Sequence, residues 1–419
     1  MTWVVIGLLF SLIILGFPIG FALMITAAVA MAVQGIDLIM VPIQMYSGTN
    51  SIVLLAIPFF ILMGELMGAT SISERIINLA SALVGWIRGG LSHVNVVTSM
   101  FMAEMSGSAV ADAAVMSKIF VPNMEKQGYP RTFSAAITAA SATLGIIIPP
   151  SIPMVLYGVT TNTSIKDLFI AGIVPGIILG GIFMLTSYIF ARREKHPVDK
   201  HFKLPRLGKA FKRAAIPLLI PVIVVGGLII GIVTPTEAAA VGVLAALIFG
   251  ITMQKDLTLP KLGGILVTTV RQTSVVMMIV AGSAVLGQFL ANEQIPQIIA
   301  SGLTNLSSNT IILMLMINVF LLFLGMFLHA SAAIIVVVPM LLPVATKIGI
   351  DPVHFGVIVC LNLGIGQQTP PVASVLLTVC STTGIKIENV MRYMKWFILS
   401  MFITLLLVTF IPATSIWFL

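Results

Sequence analysis

Gly145-Ile146-Ile147-Ile148-Pro149-Pro150 and Gly366-Gln367-Gln368-Thr369-Pro370-Pro371 stand 221 residues apart, each inside a long apolar stretch, 131–161 and 352–383. Proline has no N–H, and its ring clashes with the carbonyl one turn earlier. Two in succession therefore break a helix and free several carbonyls. Broken backbone survives at membrane depth only where it is buried in protein or lines a water-filled cavity. The two stretches predict two discontinuous helices, each interrupted at a functional position; an ordinary kinked helix is the plainer alternative for each.

Matches continue upstream in the same order. Gly128-Tyr129-Pro130 pairs with Gly349-Ile350-Asp351-Pro352, and Leu62-Met63-Gly64-Glu65-Leu66 with Val285-Leu286-Gly287-Gln288-Phe289. Gly16-Phe17-Pro18-Ile19-Gly20 is shaped more loosely like Val233-Thr234-Pro235-Thr236-Glu237. Ordered self-similarity of this kind marks an internal repeat. The chain divides into a first repeat (1–191), a basic cytoplasmic loop (192–213) and a second repeat (214–419). Each repeat carries a short apolar pair ahead of its break, 92–122 and 310–345, read as a re-entrant hairpin. The fold class expected is an all-α polytopic membrane protein of two inverted repeats, each with a re-entrant hairpin and a discontinuous helix, the architecture of many secondary transporters.

Composition sets the solvent. Of 419 residues, 58% are hydrophobic and 9% charged, against roughly 25% charged in soluble domains. Mean hydropathy is +1.13. About ten stretches approach the ~20 apolar residues that cross a bilayer. The net charge of +8 is no nucleic-acid footprint, because nine of the 22 Lys and Arg lie between Arg192 and Arg213; such a cluster orients a membrane protein. It places Arg75, Arg88, Lys126, Arg131, Lys255, Lys261, Arg271, Arg392 and Lys395 inside, and Glu293, Lys347, Asp351 and His354 outside. Met1-Thr2-Trp3 lacks the basic start of a cleaved signal peptide, so the first apolar run is expected to stay in the membrane. Cys360 and Cys380 are expected as free buried thiols.

The first hairpin tip, Met105-Ser106-Gly107-Ser108-Ala109-Val110-Ala111-Asp112, is built of small residues whose carbonyls and hydroxyls suit a small hard cation. The break at Gly145–Pro150 is its partner. The second tip, Gly325-Met326-Phe327-Leu328-His329-Ala330-Ser331, pairs with Gly366–Pro371, which symmetry makes a second cation site. Asp112, an intramembrane charge, is either functional or a favoured carboxylate in a helix first turn. Glu65 and Gln288 are expected to bond between helices, Thr234–Glu237 to form a capping box with Pro235 at its first helical position, and Glu104 and Lys118 to pair across the first hairpin. Nucleotide-binding glycine loops, His-Glu-x-x-His and Cys-x-x-Cys are absent from the sequence. The energy source is then an ion gradient or a partner. A channel would need a charged or carbonyl ring formed by oligomeric symmetry. An intramembrane hydrolase would need a base beside Ser106 or Ser108.

Four stretches carry a family resemblance: Ile57-Pro58-Phe59-Phe60-Ile61-Leu62-Met63-Gly64-Glu65-Leu66-Met67, Ser106-Gly107-Ser108-Ala109-Val110-Ala111-Asp112-Ala113, Gly145-Ile146-Ile147-Ile148-Pro149-Pro150-Ser151 and Thr234-Pro235-Thr236-Glu237-Ala238-Ala239-Ala240. In order and over the whole length, the chain resembles the large membrane (M, DctM-like) subunit of tripartite ATP-independent periplasmic (TRAP) transporters, and its texture is most similar to the sialic-acid branch. The resemblance implies a multi-pass protein of the bacterial inner membrane. It implies Na⁺-coupled import of an organic acid by an elevator mechanism, in which hairpins and broken helices move against a scaffold of the remaining helices, with two or more Na⁺ ions, no organic cofactor and no enzymatic activity. The implied partners are a separate small four-helix membrane subunit and a periplasmic substrate-binding protein. Carried over by motif, the first Na⁺ site would use Ser106, Ser108, Gly145, Ile148 and Pro150. The second would use Gly325, the His329 carbonyl, Gly366, Thr369 and Pro371. Substrate would lie between the tips, near Ser108, Asp112 and Ser331. C4-dicarboxylate is the alternative cargo, and a stand-alone Na⁺/dicarboxylate symporter the alternative machine.

Overall fold

The computed structural model describes residues 2–106, 108–197, 204–254, 257–295, 297–298, 301–302 and 309–419. Among these the regular structure is entirely helical. Eight helical spans are long and apolar enough to cross a membrane, or nine if the bent pair Met40–Thr49 and Ile52–Gly68 is one span.

The helices divide into two groups, labelled outer and inner. The outer group comprises α1 (Thr2–Ile14), α2 (Ile19–Val33), α3 (Met40–Thr49), α4 (Ala56–Gly68), α5 (Ile72–Val84), α12 (Leu204–Ile230), α13 (Pro235–Ile248) and α14 (Leu259–Asn292). At 34 residues, α14 is about 51 Å long, and α2, α3 and α4 all pack along it. Apolar burial does not drive helices together inside lipid, so close packing between small residues does. A Cβ on Gly282 would stand 2.6 Å from the Gly20 carbonyl of α2, and one on Gly242 of α13 would stand 2.4 Å from the Met63 sulfur of α4. The capping box at the start of α13 forms as expected: Thr234 N donates to Glu237 Oε2 at 2.8 Å, and Glu237 N donates to Thr234 Oγ1 at 3.4 Å.

The inner group follows the expected segments closely. The stretch at 92–122 forms α6 (Gly90–Ser106) and α7 (Ala109–Lys126), and that at 310–345 forms α15 (Thr310–Phe327) and α16 (Ala330–Lys347). Two residues join each pair and its members pack on each other, so both double back as hairpins. The stretch at 131–161 forms α8 (Arg131–Ala142), the single turn α9 (Leu144–Ile147) and α10 (Ile152–Thr161). The stretch at 352–383 forms α17 (Pro352–Gly366) and α18 (Ser374–Thr383). Helices α11 (Ile165–Arg193) and α19 (Ile387–Phe410) close the two halves.

Three elements differ from the apolar-run reading. The basic segment 192–213 is not all loop, because α12 begins at Leu204. Leu207, Ala210 and Ala214 recur at helical spacing and pack on Leu79 and Ala82 of α5, so this first stretch is amphipathic and its charges concealed the period. Helix α5 was unread for the same reason: Ile72, Ile76, Leu79 and Ala80 make one buried face. Helix α3 has no buried residue, and it too was not singled out.

Candidate functional site

The two broken helices lie side by side and run in opposite directions. Tyr157, near the end of α10, donates its hydroxyl to the Pro352 carbonyl at the start of α17 at 2.7 Å. Arg131, at the start of α8, donates to the Thr383 carbonyl at the end of α18 at 2.6 Å. Between these ends a Cβ on Gly364 would meet Ile146 and Thr143 at 3.5 and 3.9 Å, and Gln368 Nε2 donates to the Ala139 carbonyl at 2.5 Å. Each start is thus tied to the other helix's end. The breaks are staggered along the axis, since the second faces α8 rather than the first break.

Both breaks contain a cis Pro–Pro peptide, Pro149–Pro150 and Pro370–Pro371. The 221-residue spacing recurs in the helix caps. Ser108 and His329 are the N-caps of α7 and α16, and Pro130 and Asp351 those of α8 and α17. The left-handed C-caps Asn162 and Gly384 are one residue further apart. The second arm of each hairpin packs beside the far half of the other repeat's broken helix: α7 on α18, and α16 on α10.

Around the first break, α9 packs against α6 and α7. Pro149 has no N–H to give the Gly145 carbonyl. The Ile146 carbonyl, which would have bonded the nitrogen of Pro150, instead accepts the Ser151 hydroxyl at 2.6 Å. Ser151 also caps α10 by accepting from Met154 N at 3.5 Å. Gly145, Ile148 and Pro150 are all buried, and a Cβ on Gly172 of α11 would stand 2.3 Å from the Ile147 carbonyl. Ser108 Oγ accepts from Ala111 N at 3.4 Å, and its carbonyl accepts from Asp112 N at 3.0 Å. The Ser106 side chain, Gly107 and the Glu104 side chain, and with it the expected Glu104–Lys118 pair, lie outside the described residues.

At the second break the hairpin tip rests directly on the broken backbone. A Cβ on Gly325 would be 3.1 Å from Gly366 Cα, and one on Gly366 would be 2.4 Å from Gly325. The Gly366 carbonyl accepts from Thr369 N at 3.0 Å, and the His329 carbonyl from Ala333 N at 3.0 Å. Each carbonyl retains a second lone pair. The Thr369 hydroxyl donates to the Ile365 carbonyl at 2.9 Å, leaving its oxygen able to accept or ligate. The His329 side chain is exposed, and Pro371 reaches the surface. Gln367 makes this break more polar than the first but is not among the residues carried over by motif. It is 1% exposed, and among the described residues neither end of its amide has a partner; nor does Gln368 Oε1. Its signal was present in the sequence as an amide pair inside an apolar stretch.

The substrate candidates divide. Ser108 and Asp112 share the first turn of α7, and Ser331 is buried in the first turn of α16. Asp112, 5% exposed, lines a cavity of about 240 Å³ with Glu65 and Gln272. That cavity lies between the first hairpin and α4 and α14 of the outer group. Gln272 Nε2 donates to Glu65 Oε1 at 2.8 Å, so Glu65 bonds between helices as expected. Gln288 does not: its Nε2 donates to Asn292 Oδ1 at 3.1 Å on its own helix. It nevertheless lines a matching cavity of about 280 Å³ between α14, α10 and α16. Arg271 is exposed. Cys360 and Cys380 are free and buried, as expected.

The fold is similar to that of the Alcanivorax borkumensis YdaH transporter, with a TM-score of 0.64 at 14% identity over 88% of this chain and 86% of that one. With eight or nine candidate spans, such an arrangement is that of a multi-pass membrane protein. The chain belongs to the DctM component family of tripartite ATP-independent periplasmic transporters, whose sequence profile matches residues 6–414. It is 41% identical, over 98% of its length and 96% of the relative's, to the sialic acid TRAP transporter large permease protein SiaM of Vibrio cholerae. It is 38% identical to the C4-dicarboxylate TRAP transporter large permease protein DctM of Pseudomonas aeruginosa, over 89% of this chain and 88% of that one. To the 2,3-diketo-L-gulonate TRAP transporter large permease protein YiaN of Escherichia coli it is 35% identical over 97% and 96%.

Proposed function

We propose that this chain is the transport-carrying subunit of a Na⁺-coupled importer of an organic acid, with sialic acid as its cargo, working by an elevator motion in the inner membrane. The observation that carries the reading is the packing of each interrupted helix against a hairpin, α9 on α6 and α7 at the first break and Gly366 on Gly325 at the second. Oxygen atoms from an unwound backbone and from half-helix ends hold Na⁺ in transporters built this way. Gly145, Ile148 and Pro150 with Ser106 and Ser108 would form one ion site. Gly366, Thr369 and Pro371 with Gly325 and the His329 carbonyl would form the other. Half-helix N-termini at Ser108 and His329 favour a carboxylate nearby, which supports an anionic cargo between the tips, close to Ser108, Asp112 and Ser331.

The antiparallel broken helices and the repeated 221-residue spacing of caps and prolines support two inverted repeats, 1–191 and 214–419, joined through the basic cytoplasmic segment 192–213. The two cavities between inner and outer helices are where an inner body would slide past a fixed frame. The 41% identity to a sialic acid permease supports that cargo, and the C4-dicarboxylate relative at 38% makes a dicarboxylate the second reading. A separate small membrane subunit and a periplasmic binding protein complete the machine; a relative from Oleidesulfovibrio alaskensis called DctMQ, of which this chain matches 66%, supports the small-subunit partner.

Uptake into liposomes tests the whole. The chain is reconstituted with its small subunit, the binding protein is added outside, and an inward Na⁺ gradient is imposed. Labelled sialic acid accumulation that requires both the gradient and the binding protein is the expected result. Accumulation of C4-dicarboxylates instead would reassign the cargo, and uptake indifferent to Na⁺ would end the ion-coupled reading.

A further inference from the structure

Helices α5 and α12 pack through a small hydrophobic seam of their own, separate from the main core. Over that seam opens a cavity of about 700 Å³, walled by Arg75 and Asn78 of α5 and by Arg206, Lys209 and Arg213 of α12. Residues 206, 209 and 213 share one helical face. Glu74 is the single carboxylate among the described lining residues. None of the four cations is in ion-pair contact among the described residues, where the ion pairs are Arg131–Glu125 and His196–Glu194.

Two of the arginines are held in place. Arg75 donates to the Arg213 carbonyl at 3.1 Å and lies 5.7 Å from the Phe249 ring centroid. Arg206 donates to Ser81 Oγ at 3.0 Å. A guanidinium has five N–H donors, so each retains donors for the cavity. Charges of one sign gathered in a concavity attract an anion, and arginine forks match phosphate geometry. The cavity stands at the first turns of a spanning helix, in the basic region that the positive-inside rule assigns to the cytoplasmic headgroup layer. Trp86, just past the end of α5, is 46% exposed, as suits a residue type enriched at the membrane–water interface.

We propose that this cavity binds a phosphate anion, supplied by the headgroup of an anionic lipid such as phosphatidylglycerol seated between α5 and α12. Basic pockets between membrane helices on the cytoplasmic side take such head groups. Free inorganic phosphate offers the same chemistry, so the experiment separates the two sources.

The chain is purified with its small subunit in detergent, and its thermal unfolding is followed while phosphatidylglycerol, phosphatidylcholine or inorganic phosphate is titrated in. Phosphatidylglycerol is expected to raise the midpoint at concentrations where phosphatidylcholine does not. The double variant Arg206→Gln/Lys209→Gln is expected to weaken that response about 25-fold, from roughly a fivefold contribution per basic residue. Both side chains are exposed, and unchanged circular dichroism will show that the variant folds. Lys395→Gln, exposed on α19 away from the cavity, is expected to leave the response intact. If inorganic phosphate stabilises as well as the lipid and the same double variant abolishes it, the phosphate site stands and its source is free phosphate. A lipid preference that the double variant leaves untouched, or no preference for any phosphate anion, overturns the proposal.

Discussion

In the first break, residues 145–152 are buried throughout, and the one polar side chain, Ser151, stitches the half-helices together by bonding the Ile146 carbonyl and capping α10. In the second, Thr369 and Pro370 are half-buried, Pro371 and Val372 are exposed, and Gln367 is buried with no partner for its amide among the described residues. The prolines are placed alike and the cis bonds coincide, so the course of the backbone is shared while the polar balance is not. Burying an amide without a partner costs roughly 1–3 kcal/mol. In the first break the polar side chain is bonded within the chain, whereas in the second the Gln367 amide has no partner among the described residues.

Exchanging matched residues is the strongest way to break this comparison. Ile146 and Gln367 correspond, and Ile146→Gln would bury an amide where nothing requires one. We expect it to lower stability by about 3 kcal/mol, measured by thermal unfolding. The reverse change, Gln367→Ile, is expected to leave the unfolding midpoint unchanged or raised while Na⁺-driven uptake falls at least tenfold. A large loss of stability in Gln367→Ile would show that its amide is satisfied within the protein.

Glycine contacts test how tightly each break is closed. Gly366→Ala places a Cβ 2.4 Å from Gly325, and Gly172→Ala places one 2.3 Å from the Ile147 carbonyl. Overpacking of this kind costs about 2 kcal/mol, and denaturation should report similar losses for both. Gly325→Ala, with its nearest neighbour at 3.1 Å, should cost less than either; an equal cost would mean that the second tip is as rigid as the first break.

Ser151→Ala removes a cap and leaves the buried Ile146 carbonyl without its donor. We expect about 1.5 kcal/mol of destabilisation, visible as faster amide exchange in α10 but not in α18. The smallest effect lies at the second break, where Ala373 holds φ 48° and caps α18 with no side-chain bond. Relief of that left-handed conformation in Ala373→Gly, less the greater freedom of glycine when unfolded, should stabilise by about 0.5 kcal/mol.

Much of the fold was legible because its decisive signals are local. Both Pro–Pro breaks, both hairpins and the Thr234 capping box depend on residues within one or two turns of one another. Helix α5 and the first turns of α12 were not read, because their apolar residues face only one side and charges fill the gaps between them. The basic segment after Arg192 looked like loop for that reason. The pairing of Glu65 was anticipated, but its partner, Gln272, lies 207 residues away. Gln288 at the matched position bonds within its own helix instead.

The sequence by itself determined the membrane as solvent, the two broken helices, their hairpins and the family, because hydropathy, proline and glycine act on the backbone where they stand. Only the tertiary structure decided that the broken helices run antiparallel with their ends tied by Tyr157 and Arg131, that the buried Gln367 amide finds no partner among the described residues, and that four cations wall one cavity between α5 and α12. Whether a buried polar group is satisfied depends on what packs against it from distant parts of the chain, and no local pattern encodes that.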